Sequence, residues 1–94
     1  MSKQSGPDAT RQTKAYNVLL LNDEQTPGIF VVSVLEKFFH LTSDAASELM
    51  LRAHHFGSAV CGTYSFEEAT QLVDDVTAFA RSNQHPLQCV IDPK

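Results

Sequence analysis

The chain has 94 residues, 43% of them hydrophobic, and a net charge of −4 from 7 Lys or Arg set against 11 Asp or Glu. That length builds one small domain around one core, not two. Its cations, such as Lys14, Lys37, Arg52 and Arg81, are dispersed; with no basic stripe to neutralise phosphates, nucleic acid is excluded as a partner, and no apolar run reaches the roughly 18 residues of a membrane span.

Residues 1–15 are polar, contain Gly6 and Pro7 and show no periodicity. They are expected to form a disordered arm ahead of a core domain at 16–94, because they cannot bury enough apolar surface to offset the entropy of ordering. They also lack the apolar centre of a signal peptide, so a cytoplasmic protein is expected.

Tyr16 to Leu21 alternates and then turns apolar on both faces, which predicts a strand. Thr26 is a good N-cap and Pro27 suits the first helical position. Phe30, Val31, Val34, Leu35 and Phe38 then recur at helical spacing, giving a helix to about Phe39. After the His40-Leu41 connector, Thr42 or Ser43 caps a second helix, with Asp44 near its positive end. Its buried stripe is Ala46, Leu49, Met50 and Ala53, and Gly57 stops it. Ala59 to Tyr64 reads as a strand. Ser65 and Glu68 form a capping box that opens a third helix, with the stripe Ala69, Leu72, Val73, Val76, Phe79 and Ala80. Asn83 and Pro86 end it, and Leu87 to Ile91 is the last strand. The order β-α-α-β-α-β predicts an α+β, two-layer α/β sandwich with a three-stranded antiparallel sheet packed on three helices.

The strand-to-helix corner Asn22-Asp23-Glu24 carries the most chemistry, and two readings of it stand. Asn and Asp end strands routinely by bonding local backbone, which makes the cluster a turn. Alternatively, Asn22 and Asp23 form an acceptor set for an ammonium group. Paired carboxylates for glycoside hydrolysis stand ~5 Å or more apart on opposed walls, which neighbours on one turn do not supply. His54 and His55 are adjacent on a helix and point in different directions, so they do not share a metal ion. By contrast, Met50, Ala53 and His54 fall around one helix edge, an apolar wall with a polar tip. Cys61 and Cys89 lie in apolar strand-like runs and read as buried small hydrophobes, not as a disulfide or a nucleophile. No catalytic constellation emerges, and an enzyme is not expected.

Three separated motifs carry a specific resemblance. They are L-L-N-D-E-x-T-P-x-x-F-V-V-x-V-L-x-K-F-F from Leu20, A-x-x-L-M-L-x-x-H-x-x-G-x-A-V-C-G-x-Y from Ala46, and H-P-L-x-C from His85. Together they make the chain, from Tyr16 to Ile91, resemble the ClpS family. These adaptors capture the N-terminal residue of degradation substrates (N-degrons) and tether them to a Clp-family AAA+ unfoldase, usually ClpA. The resemblance implies that Asn22, Asp23 and His54 hold the substrate's α-amino group. It implies further that Thr26, Pro27, Gly28, Val31, Met50, Ala53 and Leu87 belong to the side-chain pocket. Partners would be the N-terminal peptide of a substrate and the N-domain of a ClpA-like unfoldase, the adaptor being a monomer without a cofactor.

Three positions depart from the family pattern. Gly28 stands where a large residue, commonly Met, guards the pocket, and Ala53 stands where Val is usual; both changes are expected to widen it. Near the third helix, F-E-E-A-T-Q-L replaces A-E-x-A-E-T-K, so Leu72 takes the place of a basic residue associated with unfoldase docking while Glu67 remains as a candidate contact. Two further functions compete with the adaptor: a different protein-interaction domain of the same build, in which the corner only caps, and a small enzyme using Asp23 and His54 as acid and base. The coincidence of N-D-E-x-T-P with M-L-x-x-H favours the adaptor, since fold alone does not fix function.

Overall fold

A computed structural model describes residues 14–93; most of the expected arm lies outside the described residues. In chain order the elements are β1 (Tyr16–Leu21), α1 (Gly28–Phe39), α2 (Ser43–Phe56), β2 (Ser58–Tyr64), α3 (Phe66–Ser82) and β3 (Cys89–Pro93). The sheet order is β2-β1-β3, with both pairings antiparallel. The expected architecture is therefore the observed one.

β1 is the central strand and carries apolar side chains on both faces. Val18 and Leu20 are buried in the core with Val34 and Leu35 of α1, Ala46 and Ala53 of α2 and Ala69, Val76 and Ala80 of α3. Leu19 and Leu21, on the opposite face by strand alternation, are only half-buried. A bulge interrupts the pairing with β2: Val18 faces Gly62, the next residue Leu19 faces Val60, and Cys61 is the extra residue. The Tyr64 ring lies over Gly62, so a Cβ there would come within 2.5 Å of its hydroxyl and displace the ring.

Helix ends follow their local chemistry, with one correction. Thr42 accepts from the Ala45 N–H at 3.1 Å, and the Ser65–Glu68 capping box forms in both directions. Gly57 closes α2 in the left-handed conformation, at φ 93°. At α1, however, Thr26 is not the cap and Pro27 is not the first helical residue. Pro27 is itself the N-cap, at φ −61° and ψ 141°, and its carbonyl accepts from the Phe30 and Val31 N–H groups. Thr26 is drawn away because its hydroxyl donates to Asp23 instead, at 2.8 Å.

β3 also starts two residues later than the pattern suggested. The segment between α3 and β3 is held as a connector by Arg81, whose Nη1 donates to the carbonyls of His85 at 2.8 Å and Leu87 at 3.1 Å. Its last member, Gln88, accepts from the Leu21 N–H. Leu87 thus precedes the strand, yet its side chain is fully buried. Cys61 and Cys89 are both buried, free thiols. The Cys89 thiol beside it, followed by burial, pushes the Cys61 thiol far above its ordinary range, so it is an inert apolar filler.

Candidate functional site

The site is built where β1 runs out into the corner before α1. Asn22 leaves β1 with its backbone N–H bonded to the Gly57 carbonyl at 3.0 Å, which ties the corner to the C-terminal end of α2. Asp23 then folds back on the chain. Its Oδ1 accepts from the Gln25 N–H at 2.8 Å and the Thr26 N–H at 2.7 Å, and its Oδ2 accepts from the Thr26 hydroxyl at 2.8 Å. The turn reading of the corner is therefore correct for Asp23. It does not exhaust the carboxylate, however: Oδ1 has both lone pairs engaged, whereas Oδ2 keeps one.

The charge state follows from the same contacts. Burial alone would raise the Asp23 pKa; the three hydrogen bonds from Thr26 and Gln25, with attraction from His85, overcome it and hold the group below the ordinary value of 3.8. Asp23 is thus anionic at neutral pH. The His85 ring is fixed by packing on Phe30, with centroids 4.4 Å apart.

A cavity of about 300 Å³ opens beside this corner, at the lower end of the range for small-ligand sites. Leu20, Leu21 and Leu87 come to it from β1 and the α3–β3 connector, and Thr26, Gly28 and Val31 from the start of α1. Met50, Leu51, Ala53 and His54 supply the α2 wall, and Asn22, Asp23 and Glu24 the polar side. Leu87, Ala53, Val31 and Thr26 are buried, Asn22, Asp23 and Met50 are half-buried, and Glu24 and His54 are exposed at the outer side beside Leu51. The cavity is an apolar hole with acceptors at its mouth.

Residues proposed from sequence thus converge from four separate segments: Asn22, Asp23, Thr26, Gly28, Val31, Met50, Ala53, His54 and Leu87 all line this cavity. Pro27 does not belong to the lining; it is exposed and spends its carbonyl on the start of α1. His55 points elsewhere, its ring edge-on to Phe56 with centroids 4.6 Å apart. Glu67 is exposed in the first turn of α3, and Leu72 is half-buried against the core.

The structure adds Leu20, Leu21, Glu24 and Leu51 to the lining. Leu51 was legible in principle, because it stands three residues before His54 and so shares its helix face. It also corrects the expectation of a wall missing at Gly28. A Cβ built there would meet Met50 Sδ at 3.0 Å and Cε at 3.5 Å, so the Met50 thioether already occupies the space that a side chain at 28 would take. Met suits this role, being unbranched and adaptable.

Comparison with known proteins agrees with the fold and the motifs. Residues 11–90 match the family model described as ATP-dependent Clp protease adaptor protein ClpS. The chain is 49% identical over 85 residues to the ATP-dependent Clp protease adapter protein ClpS 2 of Rhodopseudomonas palustris, covering 90% of this chain and 78% of that protein. The ClpS 2 protein of Bradyrhizobium diazoefficiens is likewise 49% identical over 85 residues, covering 90% of this chain and 77% of its own length. Among solved structures, Agrobacterium tumefaciens ClpS2 bound to L-phenylalaninamide superposes with a TM-score of 0.84 at 34% identity, covering 86% of this chain and 98% of that one. With the β-α-α-β-α-β fold, the acceptor-rimmed apolar cavity and these matches in agreement, the chain belongs to the ClpS family of Clp protease adaptor proteins.

Proposed function

We propose that this protein is an adaptor that binds the free α-amino group and bulky side chain of N-degron substrates and delivers them to a Clp AAA+ unfoldase, ClpA or a close equivalent, without catalysing a reaction itself. The observation that carries the reading is the pairing of an apolar cavity of about 300 Å³ with a mouth of hydrogen-bond acceptors. An α-amine with a pKa of ~7.7–8.0 is mostly protonated at neutral pH and offers three donors. Asp23 Oδ2, the Asn22 carbonyl and a neutral imidazole nitrogen of His54 are three acceptors, reached directly or through water. The adjoining side chain enters the hole, where a Leu- or Phe-sized group contributes roughly 1.5–3 kcal/mol by leaving water. The related Agrobacterium tumefaciens ClpS2 is bound to L-phenylalaninamide, which carries both features.

Thr26 and Val31 with Gly28 and Met50, and Ala53 with Leu87, form the proposed side-chain pocket; Pro27 supports it only through the start of α1. Glu67 is the proposed unfoldase contact. Its face of α3 is exposed, whereas Leu72 turns towards the core where relatives of the family pattern place a basic residue. Ser2 to Lys14 is proposed to serve delivery: deleting it leaves peptide affinity unchanged and slows degradation by the unfoldase–protease. The protein works as a cytoplasmic monomer in this reading. The direct test is the affinity of a peptide beginning with Phe against the same peptide N-acetylated. Acetylation removes the charge and two of the three donors, so it should abolish binding. Equal affinity for both peptides would refute amine recognition.

A further inference from the structure

Five large hydrophobic side chains are exposed among the described residues: Ile29, Leu51, Phe56, Val60 and Phe66. An apolar side chain standing alone on a surface is ordinary and means nothing by itself. Leu51 differs from the other four in its place. It is 59% exposed and yet it lines the cavity, which none of the others does. Its neighbour Met50 forms the inner wall, with the thioether over Gly28, so Leu51 is the outward continuation of that wall on α2.

The connectivity of a peptide says what reaches that place. In the α-amine reading above, on which this inference rests, the first residue puts its side chain into the hole and its amine at the mouth. The third chain substituent on its Cα, the carbonyl carrying residue two, must then leave over the rim. Four members of the lining are exposed there: Glu24, Gly28, Leu51 and His54. Gly28 has no side chain, and Glu24 and His54 are polar, which leaves Leu51 as the apolar surface outside the hole. The reach is right as well. Leu51 stands three residues before His54 on the same side of α2, about 4.5 Å along its axis, while successive Cα atoms of the peptide are about 3.8 Å apart. We propose that Leu51 is a specificity-determining residue for the second residue of the substrate: an apolar shelf at the cavity mouth that favours an aliphatic side chain at position two. The cavity thereby reads two residues, the first by enclosure and the second by an open contact that leaves one side of it in water.

The test measures affinities of otherwise identical peptides beginning Phe-Leu, Phe-Asn and Phe-Ala in the parent, Leu51→Ala and Ile29→Ala. N-acetylated Phe-Leu peptide is the control for amine recognition. Asn has nearly the volume of Leu, so the pair separates apolar contact from size. The parent should bind Phe-Leu about fivefold more tightly than Phe-Asn, the size of effect expected when two side chains touch on a half-open surface. In Leu51→Ala that preference should fall below about twofold. Combining Leu51→Ala with replacement of Leu by Ala at position two should give a coupling of about fivefold. Any effect of position 51 on the hole itself cancels in this cycle, because Phe occupies the hole in both peptides. Ile29→Ala, which removes an exposed aliphatic group outside the lining, should keep the preference of the parent.

Equal affinity of the parent for Phe-Leu and Phe-Asn overturns the proposal. A preference that survives in Leu51→Ala places the contact elsewhere and overturns it too, as does an equal loss of preference in Ile29→Ala. Rejection of the acetylated peptide together with any of these results defeats the Leu51 shelf alone. Acetylated Phe-Leu bound as tightly as the free peptide defeats the amine reading and the shelf with it.

Discussion

Gly28→Ala is the perturbation with the most specific consequence. Its Cβ would lie 3.0 Å from Met50 Sδ, where unstrained carbon contacts begin near ~3.5 Å, so the thioether must retreat by roughly half an ångström or more. Met50 can do so by rotation, and since both Gly28 and Met50 line the cavity, the added methyl and the displaced thioether share its space. The added methyl therefore acts through Met50 and narrows a hole of about 300 Å³. A misfit of one methylene in an apolar pocket is worth ~1–3 kcal/mol, or 10–200-fold. In the parent, aromatic N-terminal residues should bind better than Leu, which leaves gaps and lost contacts in the hole. In Gly28→Ala, a Trp-initial peptide should lose about tenfold or more, and Leu should lose least. Calorimetric affinities for Trp-, Phe-, Leu- and Ile-initial peptides in the parent, Gly28→Ala, Met50→Ala and the double variant give the coupling. With Met50 truncated the new methyl meets nothing, so Gly28→Ala should become nearly silent and the coupling should reach ~1 kcal/mol. If Gly28→Ala costs the same in both backgrounds, Met50 is not the filler of that wall. Leu bound as tightly as Phe by the parent refutes the aromatic preference.

Asp23→Asn should abolish tight binding of a Phe-initial peptide, a loss of ~1.5–3 kcal/mol or more, while largely preserving the turn, because an amide oxygen can still accept from Gln25 and Thr26. Asp23 has a depressed pKa when folded, so its contribution to stability is present above its unfolded value of ~3.9 and is lost as pH falls through the lower folded value; denaturation of the parent and Asp23→Asn from pH 7 to 2 should show the gap closing at the acid end. Arg81→Ala removes both bonds that hold the Leu87 connector and should weaken peptide binding, measured by the same titration, with a stability loss on the order of 1–3 kcal/mol.

Element types and the core are legible in the local pattern of residues. Helical and strand periods bury Val18 and Leu20 on one face of β1 and Val34 and Leu35 on one face of α1 wherever the chain goes. Capping chemistry at Thr42, Ser65 and Gly57 is likewise local, so it was legible. The motifs also named the residues that meet at the cavity, since their resemblance to a family carries tertiary information that spacing lacks. What those residues do to one another depends on how the elements pack. Thr26 serves Asp23 and not the helix, because a carboxylate three residues back is a stronger acceptor partner for its hydroxyl than a cap position is for its oxygen. Met50 fills the place of a side chain missing at Gly28, twenty-two positions away in the numbering. Glu24 reaches His54 across thirty. Such contacts depend on where α2 lies against the β1–α1 corner, and that placement is set by the whole core, which no local window of sequence contains.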